Sequence, residues 1–162
     1  MSAGQAKLLH MPRMTNPTIL VVEDNETEQY VLTQLLQNFD YNAHVVASGE
    51  QALTALGLTK YAAVLMDITL PGIDGYECTR RIRRIELESG RRTPIIALTA
   101  RAEQSDHNAA TESGMDDYMS KPFEPEDLRK MLLRYVYVPE HPNLKVLRPC
   151  EGERPERQPE SK

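Results

Sequence analysis

Cysteine is scarce in this chain, with two residues, Cys78 and Cys150, among 162. They lie far apart and belong to no metal-type cluster, which argues against a disulfide scaffold and fits a reducing compartment. Long hydrophobic runs are missing as well. No apolar stretch approaches the roughly 18–20 residues that span a bilayer. The N-terminal MSAGQAKLLHMPRMTNP lacks the apolar core of a secretory signal. These absences point to a soluble, cytoplasmic protein with no membrane partner. Positive charge is not in excess either: the formal net charge of −5 argues against nucleic acid as a partner. Arg80, Arg81, Arg83, Arg84, Arg91 and Arg92 are concentrated locally, but a charged helix face is more often simply solvated.

Large apolar residues almost vanish after Leu147, and the stretch from Pro139 is rich in Pro, Glu and Arg. That is the composition of a disordered tail, expected over residues 138–162. Residues 1–16 show no sustained periodicity and are expected to be a flexible leader. Between them, residues 17–137 form one domain. Their length and the chain's 40% apolar content suffice for a core.

Within that domain two periodicities alternate. Thr18–Val22 (TILVV), Ala62–Met66 (AAVLM) and Pro94–Leu98 (PIIAL) are short apolar runs, as expected of strands buried on both faces. Asn42–Ala47 and Asp117–Met119 read as weaker strands. Helical spacing predicts helices over Glu26–Phe39, Glu50–Leu58, Tyr76–Glu88, Glu103–Ser113 and Glu126–Val136. Leu53 and Leu56 should face inward, as should a stripe of Cys78, Ile82 and Ile85. Strands alternating with helices imply right-handed crossovers and a parallel sheet. The three most apolar strands should be central. The fold class is therefore α/β, flavodoxin-like, a five-stranded parallel sheet of order 2-1-3-4-5 with helices on both faces.

In such sheets ligands bind outside the carboxyl ends of the strands. Glu23 and Asp24 follow the first strand, Asp67 the third, Thr99 the fourth and Lys121 the fifth. The topology makes them converge. Three carboxylates together raise one another's pKa values, and a hard cation such as Mg²⁺ resolves the conflict. Asp67 is then the best-placed nucleophile, with Lys121 and Thr99 as ligands for a phosphoryl group. Each residue also has a plainer reading. Glu23–Asp24 could be a helix N-cap, Asp67 a turn residue, Thr99 structural and Lys121 a surface charge.

The segments ILVVEDN, VLMDITLPGIDGYE, PIIALTA and GMDDYMSKPF carry a resemblance. Over residues 17–137 the chain resembles the receiver domain of two-component response regulators, most closely those attached to, or working with, hybrid sensor histidine kinases. The resemblance implies that Asp67 accepts a phosphoryl group from the phosphohistidine of a histidine kinase or histidine phosphotransfer protein. It implies Mg²⁺ held by Asp24, Asp67 and the backbone carbonyl of Thr69, with Glu23 acting mostly through a metal-bound water. Thr99 and Lys121 would hold the phosphoryl oxygens, and Tyr118 would be the switch aromatic. Thr69 and Arg101 occupy positions that tune autodephosphorylation. A cis Lys121–Pro122 bond is expected. The output would be protein–protein, through the face of the fourth helix, fifth strand and fifth helix, with homodimerisation on phosphorylation as one form. No DNA-binding output domain is expected, and no enzymatic turnover beyond self-catalysed phosphorylation and autodephosphorylation. The partner-docking region for the phosphodonor should include Tyr30 and Val31.

Two other readings compete. A phosphorylation-independent interaction module on the same fold would usually have lost site residues, and none is lost. A Mg²⁺-dependent aspartyl-phosphate phosphatase of the haloacid-dehalogenase kind needs a second Asp two residues after the nucleophile, where this chain has Thr69.

Overall fold

The alternation resolves into ten elements in the computed structural model, which describes residues 15–100 and 103–136. They are β1 (Thr18–Val22), α1 (Glu26–Asn38), β2 (Asn42–Val46), α2 (Gly49–Leu58), β3 (Ala63–Asp67), α3 (Gly75–Ser89), β4 (Ile95–Thr99), α4 (Gln104–Ser113), β5 (Asp117–Ser120) and α5 (Pro125–Tyr135). Arg101, most of the expected leader and the tail over 138–162 lie outside the described residues.

The five strands form one parallel sheet of order β2-β1-β3-β4-β5. Apolar content explains the order. Every residue of β3 and β4, and four of the five in β1, is buried, whereas β2 and β5 keep partly exposed positions and take the edges. Side chains alternate between two cores. Ile19, Val21, Leu65 and Leu98 pack with Leu32 and Leu36 of α1 and Leu128 and Leu132 of α5. Leu20, Val22, Val64 and Ala97 pack with Ala52 and Ala55 of α2, Cys78 and Ile82 of α3, and Ala110 of α4.

Local chemistry fixes the helix ends. Asn25 caps α1 by accepting from the amides of Thr27 and Glu28, at 3.0 and 3.1 Å. Asp74 and Ser48 cap α3 and α2 in the same way. Gly90 and Gly114 close α3 and α4 with φ of 66° and 96°, a left-handed conformation that favours glycine.

Three details differ from the sequence expectation. Asp67 and Thr99 are the last residues of β3 and β4, not the first residues beyond them; each is held by strand pairing, Asp67 beside Leu98 and Thr99 beside Ser120. In α2 the buried residues are Gly49, Ala52 and Ala55, while Leu53 and Leu56 pack against the same core as expected but are only partly buried. Ile85 is 53% exposed and leaves the expected stripe. The covered face of the 15-residue α3 runs through Cys78, Thr79 and Ile82 to Arg83 and Glu86, whose side chains are 13% and 11% exposed, and Ile85 falls beside it.

Candidate metal centre

Strand direction decides what meets at the carboxyl end of the sheet. β1 delivers Glu23, whose amide bonds Val46 O at 3.1 Å and continues the sheet one residue further. Glu23 is 1% exposed, and Asp67 and Thr99 are also buried. Asp24 is exposed. The Lys121 amide donates to Thr99 O at 2.7 Å, which fixes the start of the β5–α5 loop beside the end of β4. The Lys121–Pro122 peptide bond is cis, as expected.

Glu23, Asp24 and Asp67 each offer an oxygen within 4.8 Å of the others. Asp67 Oδ1 accepts from the Thr69 amide at 3.1 Å, and Glu23 Oε1 accepts from the Asn25 amide at 3.1 Å. The Lys121 ammonium lies 2.7 Å from Glu23 Oε2 and 3.6 Å from Asp67 Oδ2, and it also binds the Glu28 carboxylate.

The charges are uneasy. Burial pushes the Glu23 carboxyl up to about 7, despite its bonds to Lys121 and the Asn25 amide. Burial also raises Asp67, and the nearby Lys121 charge offsets this only in part. Glu28 moves the other way, lowered by its hydrogen bond to Lys121. Burial pushes Lys121 down, but its bonds to Glu23 and Glu28 and the charge of Asp67 outweigh that and leave it raised. A buried carboxylate pair beside one more acid holds more negative charge than a single ammonium neutralises. An all-oxygen donor set of this kind suits a hard divalent ion, and Mg²⁺ fits it.

The loop after Asp67 is shaped by close packing. A Cβ on Gly75 would stand 2.4 Å from Asp67 O and 3.0 Å from Ile68 Cα, so only glycine lets α3 start this near the site. Glu50 of α2 steadies the same loop by accepting from the Ile73 amide at 3.2 Å.

The structure thus brings together Glu23, Asp24, Asp67, Thr99 and Lys121, and sets Thr69 against Asp67. The N-cap reading of Glu23–Asp24 fails, because Asn25 takes that role. Tyr118, on β5, is 38% exposed and meets His107 of α4 edge-on. Sequence reasoning missed Glu28. Its place in the first turn of α1, five residues after Glu23, was the available signal.

The response regulator receiver domain family matches residues 19–133. The chain belongs to that family. The receiver domain of the sensor histidine kinase PA1611 from Pseudomonas aeruginosa PAO1, with magnesium coordinated in its active-site cleft, is 44% identical at a TM-score of 0.68, covering 74% of this chain and 97% of that one. The receiver domain of Ssk1 from Saccharomyces cerevisiae, co-crystallised with the histidine phosphotransfer protein Ypd1, gives a co-crystal match at 28% identity and a TM-score of 0.71, covering 76% of this chain and 90% of the other. The transcriptional regulatory protein TcrA of Mycobacterium tuberculosis is 35% identical over 149 residues, 90% of this chain. The chain spans 57% of that relative's length. Among the described residues no helix is long and apolar enough to cross a membrane.

Proposed function

We propose that this receiver domain is a phosphoaccepting switch in which Asp67 takes a phosphoryl group from a phosphohistidine. The observation that carries the reading is the placement of Asp67. It is a buried carboxylate at the end of a central strand, within reach of two acids and a lysine. An Asp67 oxygen attacks phosphorus, the P–N bond to the donor breaks, and its electron pair returns to the imidazole. Mg²⁺, held by Asp24, Asp67 and the Thr69 carbonyl with Glu23 behind a water, would neutralise charge developing on the phosphoryl oxygens. Lys121 and Thr99 hold those oxygens by a charge-assisted bond and a hydroxyl bond. Thr69 and Arg101 set how readily water reaches the acyl phosphate.

The phosphatase alternative is disfavoured. Thr69 stands where a general acid would be needed, and it offers Asp67 only its amide. A signalling phosphoacceptor fits better than a turnover enzyme.

The phosphodonor, a histidine kinase or histidine phosphotransfer protein, docks on α1, where Tyr30 and Val31 are exposed beside the acidic pocket. The Ypd1 complex of a similar receiver supports a donor of this kind. Output passes through the face of α4, β5 and α5, where Tyr118 lies, to a downstream protein or a second copy of the chain. The intact chain should bind beryllofluoride, a phosphoryl mimic, and should be labelled by acetyl phosphate, in each case only with Mg²⁺. Undiminished labelling of Asp67→Asn would falsify the assignment.

A further inference from the structure

The Lys121 ammonium has three N–H donors and three carboxylates around it. Glu23 and Glu28 are within hydrogen-bond distance, while Asp67, at 3.6 Å, is not. The nucleophile is therefore the acid that the lysine serves least. A phosphoryl group on Asp67 draws the ammonium toward it and so competes with the two acids that hold it.

The two partners are unequal. Glu23 is buried, is held by the Asn25 amide, and belongs to the acidic cluster. The Glu28 side chain is 44% exposed, against 17% for Lys121, and its carboxylate lies outside that cluster. Water can take over the bonds Glu28 loses, so Glu28 is the partner that gives way. The plainer account is that an acid in the first turn merely complements the helix dipole. Glu26 already sits in that turn without reaching the lysine, so the dipole does not explain the contact.

We propose that Glu28 is a positioning residue that latches Lys121 away from Asp67 in the unphosphorylated domain and competes with the phosphoryl group for its ammonium. The inference rests on the reading of Lys121 as a phosphoryl ligand. The latch lowers the affinity of the site for small phosphoryl donors and mimics. It sits on α1 two residues before Tyr30, on the helix assigned to donor docking, so a docked donor meets the latch directly.

The test is a beryllofluoride titration of the full chain at saturating Mg²⁺, followed by NMR, for Glu28→Gln, Glu28→Asp, Glu26→Gln and Lys121→Met. Glu28→Gln removes the charge. Glu28→Asp keeps it but shortens the reach. Partly exposed ion pairs are weak, so both Glu28 variants should tighten binding by roughly two- to five-fold. Glu26→Gln should leave it unchanged, and Lys121→Met should weaken it. Tightening by Glu28→Gln alone, or equally by Glu26→Gln, would reveal general electrostatics and overturn the latch. No tightening by either Glu28 variant, with Lys121→Met still weak, sinks the latch and spares the reading of Lys121. Unchanged binding by Lys121→Met removes both.

Discussion

The imidazole of His107 meets the phenol ring of Tyr118 edge to face, with centroids 4.6 Å apart and planes at 87°. The contact joins α4 to β5 on the proposed output face and holds Tyr118 in its partly exposed position. His107 Nδ1 is buried and, among the described residues, has no hydrogen-bond partner, so this arrangement stabilises through the ring contact and loses through the nitrogen.

As a switch aromatic, Tyr118 would turn inward from its partly exposed position, and His107→Ala should favour that inward position. An edge-to-face pair contributes about 0.5–1.5 kcal/mol, so the inward population should rise by roughly two- to ten-fold. Tyr118 ring signals in NMR spectra with and without beryllofluoride measure it. His107→Phe should do the reverse, because it keeps the ring and removes the unpaired nitrogen. Identical spectra for wild type and both variants would show that the contact does not bias Tyr118.

Magnesium affinity should depend on pH in one direction. The folded Glu23 carboxyl is raised from 4.5 to about 7, and Asp67 is raised as well. In metal-free protein, Glu23 therefore favours the folded state most below about 4.5 and loses that contribution as pH rises to about 7. The metal needs the ionised acids, so Mg²⁺ binding should weaken as pH falls below about 7. Isothermal titration at a series of pH values tests this. Glu23→Gln should flatten the dependence, and a flat profile in the wild type would contradict the raised carboxyls.

Gly75→Ala should damage the site and the fold together. The added Cβ would meet backbone atoms at 2.4 and 3.0 Å, which no side-chain movement relieves. α3 or the end of β3 has to shift. We expect a fall in Tm and weaker Mg²⁺ binding, measured by thermal unfolding with and without the metal. Wild-type values for both would mean that the loop yields freely.

Arg83 should matter for stability and not for metal binding. Its guanidinium bonds Gly114 O, Thr93 O, Glu86 and Asp116, tying α3 to the starts of β4 and β5 at the end of the sheet opposite the acidic pocket. The ion pairs are largely buried. Arg83→Met should cost roughly 3 kcal/mol, the low end for breaking a buried pair, because Arg92 and the Thr93 amide still serve the two acids. Urea denaturation gives the loss, and Mg²⁺ affinity should be preserved. A loss below about 1 kcal/mol would place the pair in the range of exposed ones.

Much of this protein was legible from pattern alone. Three apolar runs specified central strands because a strand covered on both faces has no polar side to show. Glu23, Asp24, Asp67, Thr99 and Lys121 could be assigned to one end of the sheet because right-handed crossovers make every strand parallel. Ile85 was misread because apolar spacing favoured it for the inner stripe, whereas the ion pair of Arg83 with Glu86 occupies the covered face of α3 there.

Side-chain partners are a different matter, since they depend on distances between elements far apart in sequence. Nothing in the spacing says that Lys121 bonds Glu23 and Glu28 while standing 3.6 Å from Asp67, or that the rings of His107 and Tyr118 meet at a right angle. The sequence by itself determined the strand order and which polar groups gather at one rim, because hydrophobic burial and chain handedness act through local pattern. Only the tertiary structure decided which acid holds the lysine, because that competition turns on ångström differences set by the packing of α1 against the end of the sheet.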